Sequence, residues 1–430
     1  MAGEDNTSAD FKVGLYHPAF PSHWKRAPLY SLAKWVNGLA FRDIQFSTNG
    51  APIIKIAEVK DGISSQTKFT EQVFDESVHV HRGDLIFSWS GQPETSIDAF
   101  WWRDTDGWLN QHLFRVTSSK EIEQTFFFYL LKYVKPNFIG IARNKQTTGL
   151  GHVTKRDLET IEAAYPEDQH EQLAIAHILG TLDDKIELNR RMNETLEAIA
   201  RTMFKSWFVD FDPVRAKMSG EPPESICQRL GLTPDLLALF PDRLVDFELG
   251  EIPEGWSEKR VDDVLELAYG KALKASERIN CEVPVYGSGG ITGNHNEHLV
   301  EGPGVIIGRK GTVGSLYWED RPFFPIDTVF YVIPKVPLTF CFYLLQTLGL
   351  ERMNTDAAVP GLNRNNVYRL TFACPTEKLL LEFDKFVRPL RDKIFLSFQE
   401  SQTLINLRDS LLPKLLSGEL RVVSREPMYA

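Results

Sequence analysis

Residues 171–214 read EQLAIAHILGTLDDKIELNRRMNETLEAIARTMFKSWFVDFDPV and predict the element on which the fold depends. Apolar side chains recur three or four residues apart, with neither a proline nor a β-branched run between them. This pattern is typical of a long helix that buries one seam against another helix. The predicted seam consists of Leu179, Leu182, Ile186, Leu196, Met203 and Trp207.

The partner helix is predicted near the C-terminus, where residues 382–420 read EFDKFVRPLRDKIFLSFQESQTLINLRDSLLPKLLSGEL. A shift of 208 residues brings Asp184-Lys185-Ile186 onto Asp392-Lys393-Ile394. Because both seams keep one register, we predict that the two helices form an antiparallel intramolecular coiled coil. The same shift gives the second seam as Val387, Leu390, Ile394, Leu404, Leu411 and Leu415.

The remainder of the chain also repeats, which indicates a tandem duplication. The shift between the copies falls steadily from 232 to 208 residues, as expected if the loops of the second copy are shorter. The matched features are Pro21-x-x-Trp24 with Pro253-x-x-Trp256 and Gly38 with Gly270 (shift 232), residues 84–91 with 304–311 (220), FYLL at 128–131 with FYLL at 342–345 (214), and Gly149 and Leu158 with Gly361 and Leu370 (212).

Each copy is predicted to contain a mixed α/β domain. Apolar runs bounded by glycine and proline predict strands at PIIKIAEV (52–59), DLIFSW (84–89), GVIIG (304–308) and DTVFYVI (327–333). FFFYLLKYV (126–134) and FCFYLLQTL (340–348) are expected to be short buried helices, although strands also fit these runs. The connector between the copies is rich in proline and predicts short helices at 225–230 and 234–240.

The predicted fold class is therefore α/β (α+β), a pseudo-twofold tandem repeat of two mixed α/β domains separated by the two long helices. The predicted boundaries are 1–166 for the first domain, 167–217 for the central helix, 218–250 for the connector, 251–375 for the second domain, 376–420 for the distal helix and 421–430 for the tail.

Composition predicts a cytoplasmic protein of two or three domains, because 430 residues are too many for one ordinary domain. No apolar run reaches the roughly 18 residues of a membrane span, and the polar, acidic first ten residues do not resemble a signal peptide. The four cysteines form no CxxC pair, so we expect reduced thiols.

The net charge of −10 counts against a nucleic-acid partner, but its distribution weakens that objection. Residues 157–200 carry 11 acidic and 3 basic side chains, a net charge of −8, and residues 219–254 carry 8 and 2, a net charge of −6. The rest of the chain is therefore at −10 + 14 = +4. The charge alone decides nothing.

No motif predicts catalysis, since the chain contains neither GxxxxGK[ST] nor GxGxxG after a predicted strand. Asp43, Glu58 and Lys60 superficially resemble a metal-dependent nuclease pattern, but a solvated strand edge is the favoured interpretation. His79-x-His81 could ligate a metal. Without an acidic or cysteine partner nearby in sequence, an exposed pair of imidazoles on a strand is favoured. We therefore predict no catalytic residue and no metal site.

Polar loops offer binding chemistry instead. Arginine and lysine recognise guanine edges or phosphates, asparagine and glutamine recognise adenine, and threonine contacts the thymine methyl group. Two such loops at similar places in a duplicated protein predict DNA contact, although ordinary solvated turns would also explain them. The candidate residues are Arg143, Asn144, Lys145, Gln146, Thr147 and Thr148 in the first copy, and Arg309, Lys310, Asn363, Arg364, Asn365 and Asn366 in the second.

Two long segments of the sequence indicate a protein family. ETLEAIARTMFKSWFVDFDPVRAK (194–217) and LLPKLLSGELRV (411–422) resemble the central and distal conserved regions of type I restriction–modification specificity subunits. QTTGLGHVTKRDL (146–158) and the two P-x-x-W openings also resemble that family, and the similarity covers essentially the whole chain.

The resemblance implies a non-catalytic subunit whose two target-recognition domains bind the halves of a bipartite, asymmetric site in double-stranded DNA. Its helices would dock two methyltransferase subunits, which carry S-adenosylmethionine and modify a flipped adenine in each half-site. Restriction subunits with ATP-driven translocase activity would join through the complex. We expect no cofactor in this chain, with S-adenosylmethionine, ATP and Mg on the partner subunits, and no membrane association.

The helices would then set the spacing between the half-sites. A helix of about 37 residues is roughly 55 Å long, enough to hold two recognition domains one DNA turn apart. The aromatic cluster Phe204, Trp207, Phe208 and Phe211 is more apolar than a two-helix seam requires. It either packs under its own recognition domain or forms part of the methyltransferase interface. The docking and coiled-coil residues are expected to be Leu179, Leu182, Ile186, Leu196, Met203, Phe204, Trp207 and Phe208 on the first helix, and Ile394, Leu404, Leu411 and Leu415 on the second.

Two other functions also fit the sequence. A duplicated scaffold that binds proteins rather than DNA would explain the acidic charge, and DNA binding that weakens steeply with salt would count against it. A subunit that cleaves DNA itself would require magnesium-dependent cleavage that Glu58→Ala abolishes.

Overall fold

The structure is a computed structural model that describes residues 18–146, 149–247, 250–354 and 361–422. The chain divides into two units, residues 1–187 with 401–430, and residues 188–400. Within the described ranges, no helix is long and apolar enough to cross a membrane.

The first unit combines short strands with short helices, and α3 is largely buried. Its strands are β1 Lys25–Pro28, β2 Ala33–Asn37, β3 Ala51–Ile54, β4 Phe69–Thr70, β5 His79–Val80, β6 Leu85–Ser88, β7 Ser90–Gly91, β8 Asp98–Trp101, β9 Gly107–Leu109, β10 Leu113–Ser118, β11 Gly151–His152 and β12 Glu162–Tyr165. Its helices are α1 Ile56–Asp61, α2 Pro93–Ser96, α3 Gln124–Tyr133, α4 Lys135–Asn144 and α5 Lys155–Thr160, with 3-10 turns at Leu29–Leu32, Asp43–Gln45 and Glu76–Val78.

The long helix α6, Gln169–Phe208, follows. The second unit then has helices α7 Asp212–Met218, α8 Pro223–Leu230, α9 Pro234–Leu237, α10 Val261–Val264, α11 Leu338–Thr347 and α12 Arg364–Tyr368, with 3-10 turns at Ala275–Glu277 and Leu350–Arg352. Its strands are β13 Leu244–Phe247, β14 Gly250–Pro253, β15 Ser257–Arg260, β16 Leu265–Tyr269, β17 Val283–Gly287, β18 Gly290–His295, β19 Gly304–Gly308, β20 Leu316–Glu319, β21 Phe324–Pro325, β22 Val329–Pro334 and β23 Thr371–Cys374. The second long helix, α13, spans Glu377–Leu416.

Two features of the sheets recur in both units, which confirms the predicted repeat. Each has a four-stranded antiparallel sheet, with strand order β2-β10-β6-β8 in the first unit and β16-β22-β19-β20 in the second. Each also has a short parallel pair, β3 with β9 and β17 with β21. The predicted α/β fold class with two long helices is confirmed.

The sequence match was wrong in register near the end of each domain. Thr154 precedes α5 and Asn363 precedes α12, so the copies align there with a shift of 209 rather than 212. Leu158 therefore corresponds to Val367, and both side chains are fully buried. Leu370, the predicted counterpart, lies beyond the helix.

The prediction of one strand at PIIKIAEV was wrong in its second half. The strand ends at Ile54, and residues 56–61 form α1. The buried carboxylate of Glu58 accepts hydrogen bonds from the backbone N–H of Lys55 and from the Thr67 hydroxyl, both at 3.0 Å. These hydrogen bonds stabilise the first turn of α1. The spacing of apolar residues cannot predict such a cap, because the cap depends on polar groups. The runs at 126–134 and 340–348 are helices, as predicted.

Each unit takes its core partly from the end of a long helix. The C-terminal Leu415 and Leu416 of α13 are buried with Phe126 and Leu179 in the first unit. The C-terminal part of α6 is buried in the second unit, together with Trp256, Phe340 and Phe383. The buried side chains at this end of α6 are Ala200, Phe204, Trp207 and Phe208.

Both predicted locations for the aromatic cluster are therefore wrong. Phe204, Trp207, Phe208 and Phe211 are at most 8% exposed, so they offer no surface to a docking partner. They pack in the core of the second unit rather than under the domain that precedes them in sequence. Helix α6 ends at Phe208, Phe211 adopts the left-handed conformation with φ = 57°, and α7 begins at Asp212.

The seam between the long helices is less apolar than the sequence predicted. Leu179, Trp207, Val387 and Leu415 are buried, but the other eight predicted seam residues are only half-buried: Leu182, Ile186, Leu196, Met203, Leu390, Ile394, Leu404 and Leu411. Within the second unit the buried Asn189 donates through Nδ2 to Glu400 Oε2 at 2.8 Å, and Asn193 lies against the Ile394 carbonyl at 3.4 Å. Polar contacts in a helix seam fix register because a shifted pairing would leave them unmatched.

Equivalent tyrosines tie each globular domain to the long helices. In the first unit Tyr129 donates to Asp183 at 2.6 Å, and Arg408 donates to the same carboxylate at 2.6 Å. The second unit has Tyr343, Glu197 and Arg391 in the same chemical roles, at 3.2 Å and 2.6 Å. Tyr129 and Tyr343 are related by the repeat, but both carboxylates lie on α6 and both arginines on α13.

Candidate nucleic-acid interface

Two predicted loops of the second unit come together at one surface. The carbonyl of Arg309, just after β19, accepts a hydrogen bond from the Leu362 N–H at 2.8 Å. Lys310 and Gly361 form an isolated antiparallel bridge. The strand end thus holds the start of α12, so cations that lie 54 residues apart in sequence (364 − 310) become neighbours.

A tyrosine organises these cations. Tyr269 ends β16 and is 48% exposed. The guanidinium carbons of Arg309 and Arg364 lie 4.9 Å and 5.1 Å from its ring centroid, which is the geometry of cation–π contact. Arg309 also donates to the Asp327 carbonyl at 2.9 Å, and Arg364 lies 5.7 Å from the ring of Tyr368. Packing therefore fixes both side chains before any ligand arrives.

The charges of this cluster are not neutralised within the described part of the chain. Among the residues that the structure describes, Arg309, Lys310 and Arg364 form no ion pair with a carboxylate. Asn363 and Asn365 are exposed beside them, and Asn366 is half-buried. The Asn363 side chain caps α12 by accepting from the Asn365 N–H at 2.9 Å. We define Tyr269, Arg309, Lys310, Asn363, Arg364 and Asn365 as the basic cluster.

The equivalent loop of the first unit differs from its prediction. Arg143 and Asn144 lie in the last turn of α4 rather than in a loop. Exposed Arg143 pairs with Glu94 at 2.5 Å, and Gln146 donates to the Gly149 carbonyl at 2.7 Å. Thr147 and Thr148 lie outside the described residues.

Lys145 is also neutralised. Its ammonium group contacts both carboxylate oxygens of Asp157 at 2.6 Å. Burial alone would raise the pKa of Asp157, but hydrogen bonds from Lys145 and Thr154 hold that pKa below its usual value. Because Lys145 already has a full ionic partner, its charge is less available to a further anion than the charges of the basic cluster.

The repeat identifies different residues where the first unit matches the basic cluster. Trp89 takes the place of Arg309, and Asn37 takes that of Tyr269. The Trp89 indole donates to the Asn37 side-chain oxygen at 3.2 Å. Lys155 corresponds to Arg364, and its ammonium nitrogen lies 4.8 Å from the centroid of the Tyr30 ring. We define Asn37, Trp89 and Lys155 as the indole cluster.

Sequence reasoning missed Tyr269, Asn37 and Trp89. The sequence repeat contained a signal for these residues. Asn37 and Tyr269 directly precede the matched Gly38 and Gly270, and Trp89 aligns with Arg309. Comparing the residues that differ at matched positions would have found them. These strand ends do not resemble polar loops, because two of the three side chains are aromatic.

The nuclease pattern and the histidine pair also look different in three dimensions. Glu58 is a buried helix cap rather than a solvated strand-edge residue. The prediction that His79 and His81 have no acidic partner nearby was wrong, because Glu76 lies within 4.8 Å of both. The 3-10 turn at Glu76–Val78 directs this carboxylate back over the strand.

Comparisons with known proteins agree with this architecture. The family model described as type I restriction modification DNA specificity domain matches residues 21–198 and 253–375. The HindI specificity subunit of Haemophilus influenzae is 25% identical over 405 residues, covering 79% of this chain and 87% of that protein. The MjaIX specificity subunit of Methanocaldococcus jannaschii is 28% identical over 301 residues, covering 62% of each chain.

One solved structure is similar in fold. The S subunit of the type I restriction–modification system of M. genitalium aligns with a TM-score of 0.54 and 19% identity, covering 91% of this chain and 96% of that chain. These matches give no support to a duplicated scaffold that does not bind DNA.

Proposed function

Because the chain belongs to the type I restriction–modification DNA specificity family, we propose that each of its units reads one half of a bipartite, asymmetric DNA site. Its role in that family is to supply DNA sequence specificity. One observation supports the assignment of one half-site to each unit. Two units with the same strand order carry different chemistry at matched positions, the basic cluster in one and the indole cluster in the other.

The basic cluster suits a guanine- or phosphate-rich contact. Arg309 and Arg364 are oriented by Tyr269, and a guanidinium group can donate two parallel hydrogen bonds to guanine O6 and N7. Lys310 is exposed and suits a phosphate oxygen, which would position the domain without reading sequence. Exposed Asn365 adds an amide that matches the edge of adenine.

The indole cluster suits a less ionic contact. Lys155 is its only cation, and the amide of Asn37 is oriented by its hydrogen bond from Trp89. We propose that this half-site is read through amide hydrogen bonds and apolar contact. The resulting prediction is that a smaller share of the first unit's binding energy depends on salt.

Methylation mapping in cells that carry the chain with its methyltransferase tests this proposal. We expect Arg309→Gln and Arg364→Gln to relax or weaken recognition of one half-site while the other stays unchanged. Removing one bidentate hydrogen-bonded pair with a base should cost about 1–3 kcal/mol at that position. Arg243→Gln is the matched control, because Arg243 is exposed in the same unit and pairs only with Glu254 among the described residues.

Changes in both half-sites, or in neither, would contradict the assignment of one half-site to each unit. A purified complex gives a second measurement. The slope of log affinity against log salt should become shallower by about 0.9 for each DNA phosphate that the protein no longer neutralises, which Lys310→Gln tests.

We further propose that repeated apolar residues on the long helices dock two copies of one methyltransferase subunit. Leu173, Leu188 and Ile199 on α6 fall within an arc of about 80° at 100° per residue. A shift of 208 gives their equivalents on α13 as Leu381, Leu396 and Leu407. All six side chains are 44–58% exposed. Exposed apolar stripes mark protein contacts, and two equivalent stripes suit two identical partners.

Co-purification with the methyltransferase tests these stripes. Leu188→Asp or Leu396→Asp alone should leave one methyltransferase per chain, and the double variant should leave none. Ala198→Asp is the control, because Ala198 is exposed on α6 and lies about 80° around the helix from Leu188, the residue changed in the test. Unchanged stoichiometry in the double variant would rule the stripes out.

We propose that the chain has no catalytic activity of its own and that S-adenosylmethionine, ATP and magnesium bind to partner subunits. The buried, capping position of Glu58 supports this, because its oxygens already accept hydrogen bonds from Lys55 and Thr67. Magnesium-dependent cleavage of DNA by the purified chain would contradict the proposal.

A further inference from the structure

Two histidines and a carboxylate converge at the edge of the first unit. Glu76 begins its 3-10 turn three residues before His79, the first residue of β5. Glu76 Oε1 lies 3.5 Å from His79 Nδ1 and 3.7 Å from His81 Nε2. The three ligand atoms all lie within 4.8 Å of one another, and no other group of three such residues does so in the described ranges.

The two distances from Glu76 are close to those between the ligands of a metal ion. Ligand atoms about 2.0–2.1 Å from a tetrahedral zinc ion lie about 3.3 Å from one another. The Glu76 oxygen is within a few tenths of an ångström of that separation from each ring nitrogen, at 3.5 Å and 3.7 Å, and the two ring nitrogens lie within 4.8 Å of each other. The imidazole rings are already nearly perpendicular, with centroids 4.7 Å apart, so they are not stacked against each other.

The surroundings supply orientation and charge. The ring of His79 packs on Trp108 with centroids 4.6 Å apart, which restrains it. Asp106 Oδ2 lies 4.0 Å from His81 Nε2, so a second carboxylate is within reach as a fourth ligand. Asp84 lies on the other side of His81, 3.9 Å from Nδ1, and is paired with Arg115 at 3.7 Å.

Three carboxylates (Glu76, Asp84 and Asp106) thus face one arginine, which leaves a formal charge of −2. A divalent cation would balance this charge. We propose that Glu76, His79 and His81, with Asp106 or water as fourth ligand, bind one divalent transition-metal ion of the zinc type. Neutral imidazole selects zinc, cobalt or nickel over magnesium and calcium, which prefer oxygen ligands.

The ion would stabilise the edge strand β5 of the first unit. Strand β5 has only two residues, pairs only with β9, and ends the sheet of order β4-β3-β9-β5. A ligand set drawn from residues 76–81 and Asp106 would link this strand to the turn before β9. The role is structural and separate from the indole cluster.

The experiment uses the full chain without a histidine tag, in complex with its methyltransferase and dialysed against EDTA. Competition with a chromophoric chelator should give one high-affinity Zn²⁺ site, which excess Mg²⁺ does not displace. Co²⁺ should give the visible absorption of a tetrahedral ion. His81→Gln and Glu76→Gln should each weaken binding at least tenfold, with Glu76 the safer change because its side chain is 78% exposed.

His298→Gln is the matched control. His298 pairs with Glu301 at 3.1 Å in the same i,i+3 arrangement but has no second histidine ligand among the described residues, so its loss should leave Zn²⁺ binding unchanged. Equal affinity in wild type, His81→Gln and Glu76→Gln would overturn the proposal. Loss of the site in Cys281→Ser would also overturn it, because that exposed thiol would then be the true ligand.

Discussion

Gly38 and Gly270 occupy the same place in the two units, and each lies against the backbone of a short parallel strand. A Cβ on Gly270 would overlap the carbonyl oxygens of Pro325 and Ile326, and one on Gly38 would overlap those of Leu109 and Asn110. The sequence repeat marked both glycines but gave no reason for them. The reason is close approach of main chain to main chain, which a side chain prevents.

Gly270→Ala should therefore lower the free energy of unfolding of the second unit by about 1–3 kcal/mol, the usual cost of overpacking. Urea denaturation followed by Trp fluorescence measures it. Gly140→Ala is the control, because a Cβ there meets nothing within 4 Å and the residue lies within α4. The control should be neutral or slightly stabilising, since alanine favours helix. Equal effects at both positions would contradict the steric explanation.

Asp98 illustrates a buried charge whose role the sequence did not suggest. Its carboxylate contacts Lys132 at 2.8 Å and Lys135 at 2.6 Å. Burial would raise the pKa of Asp98, but the two ammonium groups hold it below its usual value of 3.8. Burial lowers the pKa of Lys132, so this lysine depends on Asp98 for its charge.

Asp98→Asn should destabilise the first unit by about 1–3 kcal/mol, because it leaves the half-buried Lys132 without its counter-charge. The pH dependence has a definite sign. The folded pKa lies below the unfolded one, so the stabilisation is present above about pH 4 and is lost as the pH falls through the folded pKa. Unfolding free energies of wild type and variant between pH 2 and 7, at roughly half-unit steps, should converge at the acid end. A constant difference across that range would contradict the ionic explanation.

At the scale of elements, sequence periodicity predicted the long helices from their apolar residues, but it did not predict the polar contacts between them. It identified α6, α13 and their 208-residue relation, since three- and four-residue spacing is a property of the sequence alone. It did not identify Asn189 or the Glu197–Arg391 pair, because a polar residue at a seam position resembles a solvated face. Periodicity also did not predict that α1 begins directly after β3, because the start of α1 depends on the Glu58 side-chain cap.

The same limit applies to the basic cluster. Arg309, Lys310 and Arg364 were predicted as binding residues from their types. Their assembly around Tyr269 depends on hydrogen bonds between two loops, which only the folded chain provides. In the first unit the predicted Arg143 and Lys145 are paired with carboxylates, and sequence spacing carried no sign of those partners.

The ion pairs of the helix seam lead to a prediction at this scale. Arg391→Glu places a carboxylate beside Glu197 in a site where the Arg391 side chain is only 9% exposed, and should destabilise the second unit by about 3–5 kcal/mol. Adding Glu197→Arg should recover part of that loss, which a double-mutant cycle measures. Lys385→Glu, at an exposed pair on the same helix, should cost at most about 1 kcal/mol. No recovery in the double variant would show that the two residues do not interact.

At the scale of the whole molecule, the length of the long helices offers a test of the DNA spacer. Each helix has 40 residues, which corresponds to about 60 Å. One heptad inserted after Leu188 and another after Ser397 would lengthen both helices near the Asn189 contact and keep the 3.5-residue seam. Methylation mapping should then show a longer spacer with both half-sites unchanged. Altered half-sites with an unchanged spacer would contradict a role for helix length.

The placement of the two seam ion pairs has a consequence for how such genes can recombine. Asp183 and Arg391 occupy the same position of the repeat and carry opposite charges. Two copies of the first half, paired through α6, would set Glu197 against Asp183. Two copies of the second half, paired through α13, would set Arg408 against Arg391. The duplication is thus difficult to reverse, and a gene that acquires a new recognition domain must inherit a helix whose charge complements the helix it keeps.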